Sequence, residues 1–240
     1  MAVTITIREA SGPSIKAAAD EIILYLVRHG YGSHNAFAAS VPQPPCNCRT
    51  GGSCAYINPA HVDARLIEKG RRQAVAAGCR LRSLSPAPAI AYVSPLRRTL
   101  ETASIALAGS GGTGAALDLP MVACEEIREV YGVHHCDRRG PIVDARAEWP
   151  AVDYSAVGTD EDSWFKDDVR ETVEEAVERA TKFLLTLRAR PERVVVAVTH
   201  SAFLREMLTH AVVVEEGHSA VRRRFDTGEV RPVVVSYRDA

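Results

Sequence analysis

An apolar run, Ile22-Ile23-Leu24-Tyr25-Leu26-Val27, stops abruptly at Arg28-His29-Gly30. Six residues rich in branched and aromatic side chains, with no polar alternation, predict a short strand buried on both faces. Open α/β sheets hold their ligands outside the carboxyl ends of such strands, which is where Arg28 and His29 fall. Gly30 permits a sharp turn or a close backbone approach at that point. Two further predicted strands end in the same chemistry. Ala89 to Val93 stops just before Arg97 and Arg98, and Val194 to Thr199 stops at His200. Three strand ends that gather two imidazoles and several guanidinium groups describe a site for a phosphoryl group.

The rest of the chain supplies the helices that such a sheet needs. Asp63 is expected to cap a helix running to about Leu84, with Leu66, Ala74, Ala77 and Leu81 on one side, ended by Ser85-Pro86-Ala87-Pro88. Ser94-Pro95 reads as an N-cap followed by proline at the first helical position, opening a helix to about Leu107. Gly109 to Gly114 reads as a flexible turn, and Leu119 to Cys124 as a strand. An amphipathic helix is expected over about Asp167 to Arg190, a helix over Ser201 to about Ala211, and a last strand around Val233 to Tyr237. This alternation predicts a three-layer α/β/α fold with a mostly parallel central sheet, formed by one domain over residues 1–240. Two segments, about 31–59 and 130–164, exceed ordinary connections. They are expected to be insertions that overhang the site.

A net charge of −1 gives no electrostatic basis for binding nucleic acid or an anionic membrane. No apolar stretch approaches the roughly 20 residues that span a bilayer, and residues 1–20 lack a signal core, so a cytoplasmic protein is expected. Six cysteines are scattered along the chain. Cys46-x-Cys48 with Cys54 and His61 has the residue types of a zinc site, but the segment lacks the paired C-x-x-C knuckles of structural sites. Free thiols in a surface insertion, with no metal and no cofactor, are the expectation. Cys79 and Cys124, in a predicted helix and strand, are expected to be buried.

Several motifs now combine. Arg28-His29-Gly30 with Asn35, Asp63-Ala64-Arg65-Leu66-Ile67-Glu68-Lys69-Gly70 with Gln73, and Ser94-Pro95-Leu96-Arg97-Arg98-Thr99 with Thr102 occur in that order. Ile127-Arg128-Glu129 with Gly132 and Cys136-Asp137 follow, then Val198-Thr199-His200 with Leu204-Arg205. The set resembles the histidine phosphatase superfamily, also called phosphoglycerate mutase-like, in a fungal-type branch. The resemblance implies a metal-independent phosphatase of the histidine acid type, a phosphoric monoester hydrolase acting on a phosphorylated small molecule.

In that reading His29 is the nucleophile, because a neutral imidazole nitrogen can hold the phosphoryl group covalently and split one displacement into two. Arg28 and Arg98 clamp the equatorial oxygens, with Arg97 left as an auxiliary contact or a surface residue, and His200 adds a donor. The leaving oxygen needs a proton from a carboxyl group, for which Glu125, Glu126 and Glu129 are candidates. The resemblance selects Glu129. Asn35, Tyr31 and Ser201 fall beside the substrate. Tyr31 and Ser201 stand where the family favours other residues, so Tyr31 is open to stacking on the leaving group and Ser201 is expected to bear strain if a positive φ is required. His134, His135, Arg138 and Arg139 either favour a multiply anionic substrate or form a solvated loop. A phosphoglycerate-mutase-type transferase and a silent phospho-ligand-binding domain are the alternative functions.

Overall fold

The computed structural model describes residues 3–42, 46–52, 54–108 and 115–239. Eight strands are found among them: β1 Val3–Glu9, β2 Ile22–Arg28, β3 Ile90–Val93, β4 Met121–Ala123, β5 Val152–Asp153, β6 Val194–Thr199, β7 Val213–Val214 and β8 Val230–Asp239. They form one sheet in the order β5-β4-β3-β6-β2-β8-β1-β7. All neighbouring pairs are parallel except those made by β8, which runs antiparallel to both β1 and β2. The helices are α1 Ser33–Ser40, α2 Glu68–Arg82, α3 Arg97–Leu107, α4 Ile142–Glu148, α5 Val173–Arg188 and α6 Ser201–Glu206.

Side chains alternate across a strand, so each central strand feeds two cores. Leu24, Leu26, Tyr92, Val195 and Ala197 pack with Ala180, Phe183, Leu184 and Leu187 of α5 and with Phe203 and Leu204 of α6. Tyr25, Val27, Ala91, Val93, Val196 and Val198 face the other way, onto Ala77 and Leu81 of α2 and Leu100, Ala103 and Leu107 of α3. These two packed faces give the three-layer α/β/α architecture. Burial of each large apolar side chain contributes about 1.5–3 kcal/mol. The double-sided apolar runs of β2 and β6 therefore belong at the centre of the sheet.

Several boundaries differ from the sequence reading, each for a visible reason. The helix assigned to Asp63 begins five residues later, at Glu68. Asp63 sits at φ 44° and its carboxylate instead accepts the backbone N–H groups of Arg97 and Gly140. Helix α3 starts at Arg97 because Leu96 is still extended, and the Ser94 hydroxyl bonds to His200 rather than capping a helix. The helix after His200 widens into a π turn at Met207–Ala211. Strand β1 is paired along its length with β8, although its Thr, Arg and Glu residues dilute the apolar signal. The segment 130–164 is not one overhang. Its later part forms α4 and β5, which extend the core and the sheet edge through Ile142, Ala145, Trp149 and Tyr154. Cys124 is buried as expected, but Cys79 is exposed on α2. The turn expected at 109–114 lies outside the described residues. No helix among them is long and apolar enough to cross a membrane.

Candidate active site

Strands β2 and β6 are parallel neighbours with Arg28 opposite Thr199. Their next residues, His29 and His200, therefore emerge side by side, with ring centroids 5.1 Å apart. Gly30 turns the chain tightly against α2. A Cβ at this position would lie 2.3 Å from the carbonyl oxygen of Gly70, so the approach requires glycine. The Gly30 N–H donates to Thr102 Oγ1 at 3.0 Å, which ties the loop to α3.

His29 is only 2% exposed. Its Nδ1 lies 2.7 Å from the carbonyl oxygen of Gly30. A carbonyl can only accept, so Nδ1 carries the proton and Nε2 keeps its lone pair. Burial, followed by the nearby charge of Arg98, the His34 ring and Arg28, pushes the imidazole well below its ordinary range of protonation. His29 is thus a neutral, oriented base at neutral pH.

Arg98, almost fully buried on α3, spends three of its five N–H groups within the protein. Nε donates to His200 Nδ1 at 3.2 Å, Nη1 to the Cys136 carbonyl, and Nη2 to Asp137 Oδ1 at 2.9 Å. The Arg98 side chain lines the cavity. Because Nδ1 of His200 must accept from Arg98, its Nε2 carries the proton and donates to Ser94 Oγ at 2.7 Å. Both ring nitrogens of His200 are occupied. The expected free donor is instead, in this arrangement, a strut that orients Arg98.

Arg28 donates through Nη1 to the Phe225 carbonyl at 2.6 Å. Its Nε and Nδ1 of His34 are buried without a hydrogen-bond partner. Both residues line the cavity, where the His34 Nδ1 lies against Gly32 and the Arg28 guanidinium is the donor suited to a phosphoryl oxygen. Of the three candidate acids, only Glu129 lines the cavity. Glu125 is held by Arg128 and Arg139, and Glu126 by Lys182. The Glu129 carboxylate accepts N–H bonds from Phe203 and Val130 at 2.8 and 2.9 Å and from Ala202 at 3.1 Å. Arg179 of α5 fixes the same loop from behind by donating to the carbonyls of Glu126 and Arg128.

Asn35 and Ser201 line the cavity, and Ser201 needs no strained backbone, since among the described residues Asp63 and Val133 are the non-glycine positions with positive φ. Arg97 and Tyr31 do not line it. Arg97 pairs with Asp63 and Asp144, each at 3.6 Å. Tyr31 turns toward α2, where Lys69 Nζ lies 4.3 Å from its ring centre, and it is not placed to stack on a ligand. Arg139 is neither a substrate contact nor solvated. It is buried against Glu125 and the carbonyls of Thr159 and Asp160.

The cavity has a volume of about 690 Å³. Its walls include residues that sequence reasoning did not assign: His34, Tyr56, Asp137, Arg170 and the run Arg222-Arg223-Arg224. The arginine run was visible as a charge cluster, but nothing local tied it to the site. Asp137 accepts from Arg98 and from Arg170 at 2.9 and 3.0 Å. Burial opposes its ionisation, but the His134 imidazole and the charges of Arg170 and Arg98 outweigh it and hold the carboxyl far below its usual range. His61, the imidazole that the sequence groups with the thiols by residue type, packs on Phe37 with ring centroids 4.9 Å apart.

The three inward histidines have a consequence for stability. His29, His34 and His200 are each pushed well below 6.5, by burial first and then by Arg98. Unfolded imidazoles protonate near pH 6.5, so below that pH the unfolded state binds more protons. Stability is therefore full above about pH 6.5 and falls as the pH drops further. Three groups at about 1.4 kcal/mol per pH unit predict a loss of about 4 kcal/mol between pH 7.5 and 5.5, measured by urea unfolding. A flat profile would contradict the assignment of three buried neutral imidazoles.

Two histidines and paired arginines at the carboxyl ends of parallel strands make this a site of the phosphoryl-transfer class. The profile of the histidine phosphatase superfamily (branch 1) matches residues 24–238, and the chain belongs to that family. It is 34% identical over 239 residues to phosphoglycerate mutase-like protein 1 of Arabidopsis thaliana, covering 88% of this chain and 80% of the relative. Phosphomutase-like protein 3 of Candida albicans is 27% identical over 191 residues, covering 78% of this chain and 59% of that one. The fold is shared with the crystal structure of the alpha-ribazole phosphatase from Shigella flexneri, with TM-score 0.53, 20% identity and coverage of 91% and 90% of the two chains. The chain is thereby an enzyme of phosphatase or phosphoglycerate mutase-like type.

Proposed function

We propose that the chain hydrolyses a phosphomonoester through a phosphohistidine on His29, without a metal ion in the chemistry. The observation that carries this reading is the Nδ1–H···O=C bond to Gly30, which leaves a neutral Nε2 lone pair in a cavity also lined by Arg98 and by Arg28, whose Nε has no hydrogen-bond partner. In the first step Nε2 forms a bond to phosphorus, the bond to the leaving oxygen breaks, and protonated Glu129 supplies that oxygen with a proton. Arg28 and Arg98 hold the equatorial oxygens, where charge accumulates. In the second step Glu129, now ionised, takes a proton from water as the water oxygen attacks phosphorus, releasing inorganic phosphate and restoring His29. The guanidinium groups supply the positive charge that a metal ion would otherwise provide.

The mutase reading draws on the names of the relatives. Hydrolysis is favoured because a cavity of about 690 Å³ leaves ample room for water around a phosphohistidine. The arginines of residues 222–224 on its wall suit a leaving group that carries a second anionic group.

The test is the dependence of phosphate release on the leaving group. Glu129→Gln is expected to slow release from an alkyl phosphate by about 10²–10⁴-fold. With p-nitrophenyl phosphate, whose leaving group needs little protonation, the first step should lose much less. Equal losses on both substrates in the rate of phosphoenzyme formation, the step that expels the leaving group, would remove Glu129 from the acid role. Phosphate moved within a phosphoglycerate, with no free phosphate released, would establish the mutase instead.

A further inference from the structure

Three side chains on the cavity wall, Cys46, Cys48 and His134, take no part in the proposed chemistry, and they converge with Cys54. Cys46, Cys48 and Cys54 come from the first insertion, and His134 comes from the segment that carries Asp137. Their ligand atoms all lie within 4.8 Å of one another. Cys48 Sγ is 3.4 Å from Cys54 Sγ, and His134 Nε2 is 3.3 Å from the sulfur atoms of both Cys46 and Cys54. A tetrahedral zinc ion with bonds of about 2.3 Å to sulfur and 2.0 Å to nitrogen separates its ligands by about 3.5–3.8 Å, so small adjustments suffice. We propose that Cys46, Cys48, Cys54 and His134 bind one structural zinc ion that fastens the first insertion to the 130s segment beside the active site.

The chemistry of the donors selects the ion. Three thiolates and an imidazole in a compact cluster suit zinc, and four protein ligands leave no open position for catalysis. The surroundings match a metal site as well. The second ring nitrogen of His134, Nδ1, faces Asp137 Oδ2 at 3.6 Å, which is the carboxylate–histidine arrangement that orients metal-bound imidazoles. Tyr56 covers the imidazole, with ring centroids 5.4 Å apart. His134 follows Gly132 and Val133, both at positive φ (80° and 61°). A β-branched residue in that region is costly, so the turn is held by its surroundings, and it delivers the imidazole to the thiols.

The insertion also needs such an anchor. Among its described residues beyond α1, only three-residue turns occur, at Cys48–Thr50, Ala55–Ile57 and Pro59–His61. A segment with so little regular structure gains its order from a metal bond when one is available. The ion would also stiffen the site at one remove, since His134 faces Asp137 and Asp137 holds Arg98. Sequence spacing concealed the set because the fourth ligand lies 80 residues beyond Cys54.

The test uses the full chain, purified under reducing conditions with no chelator or metal-affinity step, and analysed by plasma mass spectrometry. The expected result is about one zinc per chain. Cys54→Ser and His134→Gln should each weaken zinc binding by at least about tenfold. The double variant Cys79→Ser/His61→Ala, which alters a thiol and an imidazole outside the cluster, should keep full stoichiometry. If the ligand variants fail to fold, cobalt exchange into the parent decides the question through the d–d and thiolate charge-transfer bands of a tetrahedral site. The proposal is overturned by a folded parent with no bound zinc and no cobalt–thiolate bands, by full zinc retention in Cys54→Ser and His134→Gln, by iron or copper in place of zinc, or by a Cys48–Cys54 disulfide in the reduced, purified protein.

Discussion

His29→Ala is expected to lower kcat for p-nitrophenyl phosphate by at least about 10⁴-fold while leaving the fold intact. The size follows from what is lost. A nucleophile that divides the reaction into two displacements leaves no substitute when removed, since His34 and His200 differ from it in accessible chemistry. Both ring nitrogens of His200 are engaged by Arg98 and Ser94. The His34 ring lies 5.7 Å from that of His29, centroid to centroid, and its Nδ1 has no partner that fixes a tautomer. The measurement is initial velocity at saturating substrate, with circular dichroism to verify folding. A variant within about tenfold of the parent would mean that another group attacks phosphorus.

The largest stability effect is expected at Asp137. This carboxylate is buried between Arg98 and Arg170, with His134 on a third side. Removing it by Asp137→Ala leaves two guanidinium groups in a poorly solvated wall without their counter-charge. Breaking a buried pair in this way costs about 3–5 kcal/mol. Urea unfolding at pH 7.5 measures it directly, and a loss under about 1 kcal/mol would show that solvent or rearrangement replaces the ion pairs. Activity should fall too, because Arg98 loses one of the three contacts that aim it.

The legibility of the sequence varied with the range of the interactions involved. The double-sided apolar runs of β2 and β6 report their central position directly, because only a fully covered strand can be apolar on both faces. Their ends then place His29 and His200 together through register alone. Glu129 was separable from Glu125 and Glu126 only by resemblance. Its distinction is spatial: its loop meets the amides at the start of α6, whereas the other two meet Arg128, Arg139 and Lys182. Local capping rules misassigned Asp63 and Ser94, since both polar groups serve distant partners, the Arg97 and Gly140 amides and the His200 ring. Tyr31 and Arg97 are adjacent to site residues in sequence, yet they point to other neighbours. Asp137 and His134 show the reverse case, in which residues far from the strand-end motifs complete the wall.

The most direct measurement is of the covalent intermediate itself. The parent, mixed with p-nitrophenyl phosphate and quenched in alkali within one turnover, should carry one acid-labile, alkali-stable phosphoryl group, and peptide mapping should place it on His29. Glu129→Gln should accumulate more of it, provided that breakdown slows more than formation. Complete turnover with no phosphohistidine at any quench time, or a phosphoryl group mapped to a residue other than His29, would contradict the account.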